Sequence, residues 1–150
     1  MFKMVIFDWD GTLADTRDAI IEAFQRVLHN IGCHVTDEFL ERQIGIGARN
    51  MLKNALKHSG IKYDESLIDR LLREKIEVHL ELTHKVKLFE GVTDLLEALK
   101  SKVKIALATM SNRRIIERIL AEKGIMDYFD IIITADEVKD PKPNPEIFLK

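Results

Sequence analysis

The chain predicts an α/β fold, a doubly wound parallel sheet interrupted by an all-helical insertion. Three observations carry this. Short apolar runs stand at Met4–Phe7, at Lys104–Thr109 and at Ile131–Thr134, as in strands buried on both faces of a parallel sheet. Helical stripes alternate with the later runs: Val92, Leu95, Leu96 and Leu99, then Ile115, Ile116, Ile119 and Leu120. Between Asp15 and about Lys87 no convincing strand pattern occurs. Strand and helix in alternation, joined by right-handed crossovers, make a Rossmann-like core.

Taken in order, the first strand breaks at Asp8. The insertion then opens with Ile20, Phe24, Val27, Leu28 and Ile31 at helical spacing, with Asp15 or Thr16 as its cap. Met51, Leu52, Ala55 and Leu56 mark a second helix, closed by Ser59-Gly60. Leu67, Ile68, Leu71, Leu72, Ile76 and Leu80 mark a long third one, whose run Asp69 to Lys75 reads as a solvated face with pairs such as Asp69–Arg73. Phe89-Glu90-Gly91 is the turn back into the core. The expected division is a core of residues 1–14 plus 88–150 and a helical cap of residues 15–87. Such a cap overlies the carboxyl ends of the strands, where open α/β sheets bind ligands.

Composition narrows the function. A net charge of −2 supplies no basic field for nucleic acid or an anionic membrane. No segment approaches the roughly 20 apolar residues of a membrane span. Cys33 is the single cysteine, which suits a reducing, cytoplasmic compartment. His29, His34, His58, His79 and His84 lack ligand spacing and read as surface or half-buried.

Three elements carry chemistry. The first is Asp8-Trp9-Asp10-Gly11-Thr12-Leu13, two carboxylates where a buried strand enters a turn. A carboxylate can attack phosphorus and form an acyl phosphate. Both partners are then anionic, so Mg²⁺ is needed between them. Asp8 is the candidate nucleophile and metal ligand. Asp10 is the candidate general acid and base. The Thr12 N–H or hydroxyl is a candidate phosphate donor. The competing reading is a polar strand exit with Asp as turn former. The second element is Ser111-Asn112, at the start of a helix, where a hydroxyl and N–H groups make an anion site beside Arg113 and Arg114. Its competing reading is a helix cap alone. The third is Asp140-Pro141-Lys142-Pro143-Asn144-Pro145. Prolines on both sides of Lys142 stiffen the loop that presents its ammonium, and Asn144 with Pro145 starts a helix. A cation fixed beside the carboxylates would keep Asp8 ionised and balance phosphate charge. Read alone, this element could equally be a surface turn with a solvated lysine.

Together these residues resemble the haloacid dehalogenase superfamily, and within it the phosphoglycolate phosphatase and β-phosphoglucomutase branch. The resemblance runs through Asp8-Trp9-Asp10-Gly11-Thr12-Leu13, Ser111 followed by Asn112, and Lys142 in Lys-Pro-Asn-Pro. It implies a Mg²⁺-dependent phosphatase of small phosphorylated metabolites that works through a phosphoaspartate. Asp8, Asp10 and Lys142 would be catalytic, and Thr12, Ser111, Asn112 and Lys142 phosphate-binding. Asp8 and Asp10 would hold the metal. Asp10 favours phosphoryl transfer, because the family's dehalogenases lack an acid there. The stretch Gly45 to Asn50 resembles the family's substrate-facing cap loop, making Arg49 a candidate contact to a second anionic group. Its other reading is a solvated arginine. A sugar phosphomutase is the alternative activity.

The family also has a fourth motif, Gly-Asp with further acids, on a strand beside the first. None follows Lys142 before Lys150. This carries three expectations: a core truncated at its C-terminus, Mg²⁺ held only by Asp8, the Asp10 carbonyl, phosphate and water, and an exposed edge on the Met4–Phe7 strand that invites self-association. A catalytically incompetent fragment is the corresponding alternative to an active enzyme.

Overall fold

A computed structural model describes all residues from Met1 to Lys150. Three parallel strands form the sheet: β1 (Met4–Phe7), β4 (Lys104–Ala108) and β5 (Ile131–Ile133), in the order β1-β4-β5. A two-residue antiparallel pair, β2 (Ala14–Asp15) with β3 (Lys87–Leu88), lies at the two ends of the helical block. That block contains α1 (Arg17–His29), α2 (Asp37–Glu41), α3 (Ala48–His58) and α4 (Glu65–Glu81). α5 (Val92–Lys100) and α6 (Arg113–Glu122) connect the sheet's strands, and the short α7 (Glu146–Leu149) follows β5.

Two hydrophobic clusters organise the chain. One joins Trp9, Leu13, Ile105 and Leu107 to Val92 and Leu96 of α5 and Ile115, Ile116, Ile119 and Leu120 of α6. Each fully buried Leu or Ile contributes about 1.5–3 kcal/mol of transfer free energy. The other joins α1, α3 and α4 through Phe24, Leu28, Leu52, Leu56, Ile68 and Leu71.

The register explains a departure from expectation. Val5 pairs with Ile105 and Phe7 with Leu107, while Ile6 pairs with Ala106. Paired residues of a sheet share a face. Because the strand order runs in one direction, right-handed crossovers put α5 and α6 on the same face, over Ile105 and Leu107. Met4 and Ile6 point the other way and are 39% and 44% exposed. β1 is thus not buried on both faces, and in the order β1-β4-β5 it stands at the sheet edge, as expected. β5 is also at an edge, and Ile131 is 41% exposed. Only β4 is buried along most of its length.

Individual side chains set the helix starts. Asp64 caps α4, its carboxylate accepting from the Leu67 N–H at 2.8 Å. Thr36 caps α2, a five-residue helix too short to leave a periodic signal. Thr16 stands at the start of α1, but its hydroxyl makes no cap hydrogen bond. α7 begins one residue later than expected, with Pro145 at the cap and the Asn144 carboxamide oxygen accepting from the Glu146 N–H at 2.9 Å.

Candidate active site

β1 delivers the first two carboxylates. Trp9 is fully buried in the core cluster and anchors the turn, while Asp8 and Asp10 on either side of it are half-buried. Gly11 then takes φ +74°, a conformation that side-chain-bearing residues resist. The turn closes through the Trp9 carbonyl, which accepts from the N–H groups of both Thr12 and Leu13 at 3.1 Å. This corrects one expectation. The Thr12 N–H is taken up by the turn, leaving its hydroxyl as the group that could meet phosphate.

Lys142 reaches this turn from the far end of the chain. Its ammonium donates to Asp8 Oδ1 at 2.9 Å and to the Ala108 carbonyl at the end of β4 at 2.8 Å. The loop carrying it is clamped by Glu146, whose carboxylate accepts from the Lys139 N–H at 3.1 Å and the Asp140 N–H at 3.0 Å. Those two N–H groups hold the Glu146 carboxyl below its usual range. Asp8 Oδ1 is thus ion-paired while its side chain stays 44% exposed.

Asp10 is held differently. Thr16 Oγ1 donates to Asp10 Oδ1 at 2.8 Å. Burial raises the Asp10 pKa, and Asp8 adds to the rise; the Thr16 hydrogen bond, Lys75 and Lys142 oppose it. Sequence had offered Thr16 only as a helix cap.

Ser111 and Asn112 lie at the start of α6. Asn112 is the helix cap, its Oδ1 accepting from the Arg114 N–H at 3.0 Å while its Nδ2 donates to Asp136 at 2.9 Å. Asp136 also accepts from the Arg113 N–H at 2.7 Å. The helix end is therefore met by a carboxylate of the chain itself. Arg113 pairs with Glu117 and Glu137, and Arg114 with Glu77. Neither arginine awaits an external anion.

A cavity of about 280 Å³ separates the helical block from the sheet. Asp10, Arg49, Ser111 and Asn112 line it; Asp8, Thr12 and Lys142 do not. Arg49 donates to Glu65 at 2.9 Å and to Asp69 at 2.5 Å, so its charge is already matched within the block. Asp69 is accordingly paired with Arg49 and not with Arg73.

Two cavity residues were missed. Lys75 is 6% exposed and His79 is 2% exposed, against the expectation of a wet lysine and an at least half-exposed histidine. The signal was present: both continue the buried stripe of Ile68 and Leu71 along α4. Lys75 Nζ lies 5.1 Å from the Phe24 ring centroid. Burial depresses its pKa to about 8, and Asp10 restrains the fall. Between that value and the ordinary 10.5 the unfolded chain binds more protons, so stability rises with pH across this window. Below about pH 8 the folded chain carries a penalty on the order of 3 kcal/mol. Lys75→Met should then be more stable than the parent at pH 7, with the gap closing toward pH 10. Urea unfolding of both proteins at each pH measures this, and parallel pH curves would refute it.

No cluster of three or more acidic, histidine or cysteine side chains is present. What the turn offers is one half-exposed carboxylate, Asp8, and the Asp10 backbone carbonyl. That suits Mg²⁺, which keeps several waters and takes one or two carboxylates plus substrate phosphate.

An α/β sheet with paired carboxylates at a strand end, faced by a loop lysine, can host phosphoryl transfer through a carboxylate nucleophile. The sequence profile of the haloacid dehalogenase-like hydrolases matches residues 5–150, and the chain belongs to that family. Within it the chain falls in the phosphatase and β-phosphoglucomutase branch, among the phosphoric monoester hydrolases. A phosphorylated carbohydrates phosphatase of Thermotoga maritima is 37% identical over 149 residues, covering 98% of this chain and 68% of the relative. A phosphoglycolate phosphatase of Aquifex aeolicus is 29% identical, covering 99% of this chain and 68% of the relative. The crystal structure of β-phosphoglucomutase from Clostridium difficile superposes with a TM-score of 0.89 at 32% identity, over 99% of this chain and 69% of that one.

Proposed function

We propose that the chain hydrolyses phosphate monoesters of small metabolites with Mg²⁺ as cofactor, through a phosphoaspartate on Asp8. The observation that carries this is the Lys142 ammonium fixed at 2.9 Å from Asp8 Oδ1 by a second bond to the Ala108 carbonyl. A buried strand, a turn and a remote loop converge on one carboxylate, which a mere strand exit does not require.

Asp8 attacks phosphorus, and the bond from phosphorus to the ester oxygen breaks. Asp10, its pKa raised by burial, gives its proton to the leaving oxygen. It then takes a proton from the water that attacks the phosphoaspartate, releasing phosphate and the Asp8 carboxylate. Lys142 holds Asp8 in place and meets the phosphoryl charge, with the Thr12 and Ser111 hydroxyls as further donors. Held by Asp8 and the Asp10 carbonyl, Mg²⁺ would screen the repulsion between carboxylate and phosphate.

Residues 15–87 act as the cap that selects substrate, since α3 and α4 supply much of the cavity wall. No helix is long and apolar enough to cross a membrane. The single cysteine and the metabolite substrates fit a cytoplasmic enzyme.

Phosphate release from a panel of sugar, polyol and carboxylate phosphoesters, with Mg²⁺ and then with a chelator, tests the reading. Release that stops on chelation is expected. No release from any ester at saturating Mg²⁺ would instead mark the chain as a fold without turnover. The likeness to a phosphoglucomutase supports a second reading, phosphomutase activity. Isomerised sugar phosphate without free phosphate would favour it.

A further inference from the structure

His79 has no role in the reaction described above, yet its environment is unusual. Both ring nitrogens are buried and neither makes a hydrogen bond. Unpaired buried polar atoms are costly and uncommon in folded proteins. Burial, with the neighbouring Lys75 charge, pushes the His79 pKa down to about 2. The ring is therefore neutral, with one nitrogen donating and the other accepting.

Its position gives those nitrogens a use. His79 lines the cavity shared by Asp10, Ser111 and Lys75. At about 280 Å³ this space is at the small end of ligand cavities and fits a compact metabolite. Arg49, the guanidinium of the wall, is already bound to Glu65 and Asp69. A neutral donor–acceptor pair cannot balance a carboxylate, but it matches a hydroxyl, which both donates and accepts.

We propose that His79 is a specificity-determining residue, hydrogen-bonding hydroxyl groups on the organic part of the phosphoester and favouring sugar and polyol phosphates. This rests on the phosphoesterase reading and adds the substrate class. Binding of such a ligand satisfies the two nitrogens that the free protein leaves unpaired, while an ester without hydroxyls leaves them so.

The test labels the histidine rings of the full chain with ¹⁵N. Spectra are taken without added Mg²⁺, with inorganic phosphate, glucose 6-phosphate or phenyl phosphate. Both His79 ring signals should move with glucose 6-phosphate and stay in place with the other two. In Mg²⁺, His79→Leu should lower the ratio of kcat/KM for glucose 6-phosphate over phenyl phosphate by about tenfold or more. His79→Gln, which keeps a donor and an acceptor, should restore part of it. Ring signals unmoved by glucose 6-phosphate, or an unchanged ratio, would overturn the proposal while leaving the phosphoesterase reading intact. If the parent hydrolyses neither ester, the ring signals alone decide the role of His79.

Discussion

Asp8→Asn should reduce Mg²⁺-dependent phosphate release by roughly ten-thousand-fold or more, with the fold retained. The substitution removes one charge and the nucleophilic oxygen while keeping the side chain's shape. An amide oxygen can still accept from Lys142, which lies at 2.9 Å from Asp8 Oδ1 in the parent. The pair is partly solvated, Asp8 at 44% and Lys142 at 21%, so its loss should change stability by no more than about 1 kcal/mol. Phosphate release and urea unfolding measured on the same preparation separate the two effects. Activity equal to the parent's would remove Asp8 from the mechanism. Loss of activity with loss of folding would leave Asp8 a structural part of the turn.

How much of this site the sequence disclosed depends on how each residue is held. Asp8 was legible because two carboxylates directly after an apolar strand have few structural uses. Lys142 was legible through its prolines, though sequence alone could not show that it reaches Asp8 from 134 positions along the chain. Thr16 was hidden by having two plausible uses: a threonine before a helix reads as a cap, and here its hydroxyl turns to Asp10 instead. Lys75 and His79 were hidden by residue type. In a helix rich in charges, a lysine next to Glu74 reads as solvated, although its place on the stripe of Ile68 and Leu71 pointed inward. Arg49 lines the cavity, but its carboxylate partners come from a helix that begins many residues later, which its own segment does not disclose. The open face of β1 escaped the reading because an apolar run carries no sign of what covers each side of the strand, although its open edge was expected. Periodicity reports which face is apolar; it does not report what covers that face.

Lys142→Ala should lower kcat on a phosphoester by roughly 100- to 1,000-fold, an effect of the size seen when one fixed donor is taken from a developing charge. Two consequences of the geometry add together. Asp8 loses the cation that holds it in place, and the phosphoryl group loses its counter-charge. The Ala108 carbonyl also loses its partner, so β4 and the loop are no longer tied at the site. Stability should change little, because Glu146 still clamps the loop through Lys139 and Asp140. Lys142→Arg should not restore the rate. A planar guanidinium is wider than an ammonium and cannot occupy the same point between Asp8 Oδ1 and the Ala108 carbonyl, at 2.9 and 2.8 Å. Rates across a Mg²⁺ series, with the midpoint of urea unfolding as control, check both variants. Should the arginine variant recover the parent's kcat, positive charge alone would suffice and the fixed position of the ammonium would not matter. A fall in unfolding midpoint as large as that of a core mutation would instead make Lys142 a fold-holding residue. The clamp by Glu146 predicts against that result, since it secures the loop from both oxygens of its carboxylate without help from the lysine.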